Sequence, residues 1–480
     1  MPAPPLAKAT SRRTFSWFRP DVLWRSRNDV LAGLKDSTND DRRRWILQLI
    51  AQGGDAAFTI DRGDLSLPSF LILGDPGEGD ASQAAVIEPL LAVGGDTDFA
   101  LIASDVIYPA GDSADYLENF YRPYKDYPAP IFAVPGNHDW YDGLQGFMLH
   151  FCGARRSPLA GSARTSPPWK RLRRPLWRMP PPPDRDDLRQ GRELRPGSAR
   201  QRTQPGPYFV LDTERLRIVG IDTGISGELD REQGAWLRRV SSESTKPKLL
   251  LTGKPIYVDG AHHPGLIEGG GTVDEIVRDP AHHYVAVTGG DIHNYQRYPV
   301  RTPDGRTIQY IVCGGGGAFM HATHKIPRVD IPGVREEDFH CYPLRGDSLS
   351  FYSLLYDRRL AGGRGRLYIE PEEAKWLMAE RLGLRPVRND PEPVCPSPGA
   401  RQAMKRVFPL PGRARGPWHR LFSEYFDWNE PPLFKSFLRL DVEDDRLRIR
   451  CFGVTGCHEH AHAPRVEDEL TIALEIGEKR

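Results

Sequence analysis

Four short stretches hold the residues best suited to chemistry. They are Gly74-Asp75-Pro76-Gly77, Ser104-Asp105-Val106-Ile107-Tyr108, Pro135-Gly136-Asn137-His138-Asp139 and Gly289-Gly290-Asp291-Ile292-His293-Asn294-Tyr295. Between them they offer carboxylates, an amide oxygen, imidazoles and a phenol. Those donors suit di- or trivalent first-row metal ions such as Fe, Mn and Zn. A carboxylate set centrally among them can bridge two ions. Two ions about 3.5–4 Å apart acidify a shared water and clamp both oxygens of an in-line phosphoryl displacement. The adjacent glycines let the backbone turn sharply and approach an anion closely. A single Gly-Asp after a strand is an ordinary turn, and Gly-Asn-His-Asp alone is compatible with an Asx turn carrying a surface histidine. Four such stretches in one chain argue for a shared site.

Each stretch follows a short apolar run: Ser69–Leu73, Asp98–Ala103, Pro130–Val134 and Tyr284–Thr288. Arg217–Ile221, Lys248–Thr252 and Thr307–Cys313 are runs of the same kind. Short β-branched-rich runs bounded by Gly or Asp read as strands buried on both faces. Helical spacing falls between some of them, at Ala81–Val93 and Glu232–Ser241. Strands interleaved with helices predict an α/β layered core. In open α/β sheets, ligands gather at the carboxyl ends of strands, which is where the four stretches stand.

The rest of the chain divides around that core. Residues 1–59 read as an N-terminal helical extension, with helical spacing at Asn28–Leu34 and Arg42–Ile50. Residues 60–320 are the expected catalytic core, interrupted at 153–205 by a segment rich in Arg, Pro and Ser that reads as a surface insertion. Residues 321–480 form a C-terminal extension. It holds a helix at Pro371–Leu384, a Pro-rich stretch at 386–399 and a terminal hairpin of Ser436–Val442 and Arg446–Val454, expected to pack on the core. His458, His460 and His462 have the composition of a metal tract but read as a solvated tail. The aromatics Tyr116, Phe120, Tyr121, Tyr124 and Tyr127 read as packing.

Composition narrows the function. Of 480 residues, 65 are Lys or Arg and 64 are Asp or Glu, and this balance argues against a dedicated nucleic-acid binder. Six cysteines without a repeated CxxC pair read as free thiols of a reducing compartment. The N-terminus lacks an apolar signal stretch, and no run of about 18 apolar residues predicts a transmembrane helix. The expectation is a cytoplasmic protein.

The ordered motifs Asp75-x-Gly77, Asp105-x-x-Tyr108, Gly136-Asn137-His138-Asp139 and Gly290-x-x-His293 resemble those of the calcineurin-like metallophosphoesterase superfamily, and of its purple acid phosphatase branch in particular. The resemblance covers roughly residues 68 to 318. It extends to Gly220–Asp222, to Leu229-Asp230-x-x-Gln233-x-x-Trp236-Leu237 and to the glycine run Gly314–Gly317. It implies two facing mixed β-sheets flanked by helices, and two Fe, Mn or Zn ions. It also implies roles. Asp75, Asp105, Tyr108 and His293 would hold the first metal, Asp105 would bridge, and Asn137 would bind the second. His138 would stabilise the phosphoryl group or protonate the leaving oxygen. Asp139 would orient His138 by a hydrogen bond. The implied nucleophile is a metal-activated hydroxide rather than a side chain.

Two positions depart from that pattern. Gly253, in Leu251-Thr252-Gly253-Lys254-Pro255, stands where the family carries a histidine ligand, and Asp291 stands in place of another. Asp291 can itself ligate a hard metal. For Gly253 three explanations stay open. Either His262 or His263 swings in from the next loop, or the second ion is held weakly, or the protein keeps one metal and no longer hydrolyses. Lys254, beside the altered position, is a candidate phosphate contact. His321 and His324, after the glycine run, are candidates to line the pocket or to serve local packing. The leading reading is a metal-dependent phosphomonoesterase or phosphodiesterase. The alternative is a non-catalytic metal- or phosphate-binding regulator on the same fold.

Overall fold

A computed structural model describes residues 19–32, 38–155, 157–159, 177–178, 185–195, 204–384, 395–412, 434–455 and 464–474. Most of the insertion expected at 153–205, most of the Pro-rich stretch at 386–399, and His458, His460 and His462 lie outside the described residues.

Two mixed sheets face one another. One has six strands. Ser69–Leu73, Phe99–Ala103 and Ile131–Val134 run parallel, with Phe70 opposite Phe99 and Ala100 opposite Ile131. The other has eight, in the order Thr59–Arg62, Phe209–Thr213, Arg217–Ile221, Lys248–Thr252, Tyr284–Gly289, Thr307–Cys313, Tyr295–Arg301 and His340–Tyr342. The expected strand runs are nearly all buried because each has something on both faces. Alternate side chains meet between the sheets: Phe70, Ile72, Phe99 and Leu101 from one, Phe209, Leu211, Leu249 and Leu251 from the other. The outward set Leu71, Leu73, Ala100 and Ile102 packs with Val86 and Leu90 of helix Ala81–Gly94, and with Tyr116, Phe120, Tyr121, Tyr124 and Tyr127. On the far side, Val210, Val219, Leu250 and Val287 pack against helices Arg231–Ser242 and Val273–Arg278.

The described segments flanking the core are built into this sandwich. Helix Asn39–Ala51 buries Trp45, whose Nε1–H donates to the Gly143 carbonyl at 2.9 Å. It also buries Arg42, which pairs with Asp222 at 2.8 Å and Asp230 at 2.9 Å. The hairpin Ser436–Val442/Arg446–Gly453 joins the six-stranded sheet edge to edge rather than lying on a face. Leu438 pairs with Ile72, so the hairpin extends the sheet from the very strand that leads to Asp75. A further strand, Arg465–Ala473, pairs with Arg446–Gly453. Helix Arg345–Leu360 was not anticipated. It buries Leu349, Tyr352, Leu355 and Tyr356 in the core, interleaved with buried Ser348, Ser350 and Ser353, which dilute its apolar period. No helix among the described residues is long and apolar enough to cross a membrane.

Candidate metal centre

The four motifs converge at the carboxyl ends of strands drawn from both sheets. Asp75 follows Ser69–Leu73, Asp105 follows Phe99–Ala103, Asn137 and His138 follow Ile131–Val134, and Asp291 and His293 follow Tyr284–Gly289. The glycine run ties the sheets together. Gly74 N–H donates to the Cys313 carbonyl, Gly316 N–H to Gly74, and Ala318 N–H to Asp75, each at 2.9 Å. Three of the acidic residues have left-handed backbone: φ is 56° at Asp75, 33° at Asp105 and 67° at Asp291. Strain of this kind concentrates at functional sites, where the surrounding structure holds it. Close approach demands glycine at 290, since a Cβ there would stand 1.9 Å from the Ala103 carbonyl oxygen and 2.8 Å from Asp75 Oδ2.

The Tyr108 hydroxyl stands at the middle of the first group. It is 3.1 Å from Asp105 Oδ2, 3.1 Å from His293 Nε2 and 3.4 Å from Asp75 Oδ1. Among the described residues, no three His, Cys, Asp or Glu side chains form a closed metal cage by themselves; the phenol is what links this set. Burial, and then the charges of Asp105 and Asp291, push the Asp75 carboxyl well above its ordinary range. Burial also raises Asp105. Burial, and then Asp105 and Asp75, raise the Tyr108 phenol. The His293 imidazole is driven down to about 3 by burial, with Lys435 adding to the effect. Its Nδ1 lies 2.8 Å from the Phe319 carbonyl, which leaves Nε2 as the nitrogen facing the Tyr108 hydroxyl.

Two buried acceptors in this group, Asp75 Oδ2 and Asn137 Oδ1, accept no hydrogen bond. Buried carboxylates crowded together and short of donors are stabilised by a cation, which inverts the local electrostatics. Asp75, Asp105, Tyr108 and His293 therefore fit one metal ion in donor type, charge and mutual distance.

The second-ion side is different. Lys254 Nζ lies 2.7 Å from Asp291 Oδ1. His262 does not approach the site. Its Nε2 lies 2.8 Å from Asp274 Oδ2, and its ring stacks on Tyr257 at 4.6 Å. His263 lines a cavity of about 650 Å³ together with Thr223, Lys254, Asp291, Asn294 and His321.

His138 stands against the first group: its backbone N–H donates to Asp105 Oδ1 at 2.8 Å, and its ring lies 4.4 Å from that of Tyr108. Asp139 does not make the orienting bond expected of it. Asp139 is the third residue of the short helix Asn137–Trp140, so its carboxylate folds back onto backbone donors. Oδ2 accepts from Gly136 N–H and Val106 N–H, both at 3.0 Å. The Pro109 carbonyl, 2.8 Å from His138 Nδ1, holds the imidazole instead. That bond leaves Nε2 as the nitrogen that can serve a substrate. The Asn137 amide Nδ2 donates to the Tyr141 hydroxyl at 2.8 Å.

Sequence reasoning missed Lys435 and left His321 open between lining the pocket and local packing. His321 stacks on His293 at 4.4 Å with planes 6° apart, and its Nδ1 accepts the His293 backbone N–H at 3.1 Å; its position after the glycine run was the available signal. Lys435 is buried and donates to the Ala318 carbonyl, and nothing in the local sequence marks it. His324 serves packing: it is buried, with Nδ1 2.9 Å from Ser348 Oγ.

Residues 68–295 match the model of the calcineurin-like phosphoesterase family, so the chain carries a domain similar to that family. No curated protein matches the chain by sequence. Among solved structures it is similar to the purple acid phosphatase PPD1 of yellow lupin (Lupinus luteus), at 10% identity and a TM-score of 0.41, over 86% of this chain and 55% of that one. It is also similar to PhoD, at 8% identity and a TM-score of 0.36, over 86% and 70%. A third is GAP50, the anchor in the inner membrane complex of Plasmodium, at 12% identity and a TM-score of 0.33, over 53% and 73%. The chain thus spans a little over half the length of the lupin phosphatase.

Proposed function

We propose that this protein hydrolyses phosphomonoesters or phosphodiesters at a metal centre held by Asp75, Asp105, Tyr108 and His293. The observation that carries this reading is the convergence of those four side chains, with His138 against them, at strand ends beside the cavity of about 650 Å³. A bound ion supplies Lewis acidity toward phosphoryl oxygens and lowers the pKa of water. The polypeptide supplies the rest. The Asp75 and Asp105 carboxylates would hold the cation. His293, locked by Phe319, presents a neutral imidazole nitrogen. His138, locked by Pro109, presents Nε2 to the phosphoryl group or the leaving oxygen, where a positioned acid contributes about 10²–10⁴-fold. Asn137 Oδ1 stands as a further oxygen donor. The ester's organic part would occupy the cavity against Ile225, Ile256 and Leu266. We place the protein in the cytoplasm, a reading supported by free thiols at Cys152, Cys313, Cys341, Cys395 and Cys451.

The test is hydrolysis of p-nitrophenyl phosphate and bis-p-nitrophenyl phosphate by wild type and His138→Ala, each supplemented with Mn, Fe or Zn. Turnover in the wild type that falls at least about 100-fold in the variant supports the hydrolase. Absence of turnover with every metal would transfer the reading to a binding protein on this fold.

A further inference from the structure

The loop at the expected second-ion position is closed around its missing side chain. A Cβ on Gly253 would stand 2.7 Å from the Pro135 carbonyl oxygen and 2.9 Å from Thr223 Oγ1. The Lys254 backbone N–H donates to that same Thr223 hydroxyl at 3.2 Å, sealing the contact. Asp291, the other altered position, is already paired with the Lys254 ammonium. His262 is committed to Asp274. These residues do not fit a second ion: one donor has no side chain and no room for one, and another faces a fixed cation that would repel a divalent ion. Lys254 is partly exposed, lines the cavity, and acts electrostatically on Asp105, favouring its charged form. Among the described residues it is the cavity's one lysine or arginine.

We propose that the centre is mononuclear, and that the Lys254 ammonium, held by Asp291, supplies from the polypeptide the positive charge of a second ion and seats the substrate's phosphoryl oxygens. This rests on the hydrolase reading for the substrate, but not for the ion count or for anion binding. Lys254 is then a substrate-binding residue placed by an ion pair, and Asp291 is a positioning residue rather than a metal ligand.

The experiment measures two quantities on the full chain: Mn²⁺ bound per chain at saturation, and the affinity for inorganic phosphate. Wild type should bind one Mn²⁺. Lys254→Met should keep that ion and lose phosphate affinity by about 10–100-fold, the worth of one hydrogen bond to a charged group. Lys254→Arg should recover most of the affinity. The double variant Lys254→Met/Asp291→Asn, which leaves no uncompensated carboxylate, should show the same loss and so separates it from misfolding. Phosphate affinity unchanged in Lys254→Met would overturn the proposal, as would no bound ion in the wild type. Two ions per chain with turnover would overturn it and leave the hydrolase standing. One ion with phosphate binding that depends on Lys254, but no turnover, would keep the proposal and overturn the hydrolase.

Discussion

Replacing Arg42 by methionine should destabilise the fold by about 3–5 kcal/mol, the range for removing one partner of a buried ion pair. Arg42 is fully buried, and it serves two carboxylates that are themselves buried, Asp222 at 2.8 Å and Asp230 at 2.9 Å. The variant leaves both without their cation. Each keeps other donors: Trp140 Nε1 and Gly224 N–H for Asp222, and Gln233 N–H for Asp230. These soften the loss without replacing the charge. The loss reaches the site as well. Trp140 lies in the same short helix as Asn137 and His138, and Asp222 anchors its indole. Equilibrium urea unfolding of wild type and variant reads the change directly, with Arg43→Ala as the reference. Arg43 pairs with Glu232 and Glu268 at the surface, where such pairs contribute about 0–1 kcal/mol. A loss below about 1 kcal/mol for Arg42→Met, no larger than for Arg43→Ala, would refute the view that this network is a buried keystone.

Other consequences can be checked separately. Excess Mn²⁺ should raise the thermal midpoint, by the equivalent of about 2.7 kcal/mol at 100 times its Kd, and Asp105→Asn should remove the effect. A chain ending at residue 433 should fail to fold as judged by circular dichroism, because it exposes the edge of Ser69–Leu73 that Ser436–Val442 covers. Phe99→Ala should cost about 3–5 kcal/mol in the same urea assay, since Phe99 is buried between the sheets with its ring 4.8 Å from Phe70. Acid should expose the bond between the sheets made by Arg297 and Asp468 at 2.6 Å. Burial alone would raise the Asp468 carboxyl, but Arg297 overrides it and holds the group below its ordinary 3.8. Its stabilisation is therefore complete above pH 3.8 and lost as pH falls through the lower folded value, and Asp468→Asn should flatten that acid limb in a stability–pH profile.

Local sequence pattern marks seven of the core strands and the order of the donors, but not Phe209–Thr213 or Tyr295–Arg301. Runs such as Lys248–Thr252 are apolar throughout because both faces are covered, and that pattern is written locally. Asp75, Asp105, Asn137 and His293 were legible because each sits within a few residues of a strand end, where backbone direction alone sets its place. Tertiary structure decided everything that depends on which distant partner a side chain finds. Asp139 was free in the sequence to hold His138, but as third residue of a helix it satisfies backbone donors instead. His262 was free to reach the site, but Asp274 lies 2.8 Å away. Lys254 and Asp291, 37 residues apart, become an ion pair only because two parallel strands end side by side. The hairpin's alternation predicted its two strands but not its seat beside Ser69–Leu73, more than 360 residues earlier, because edge-to-edge pairing uses backbone groups that every residue carries.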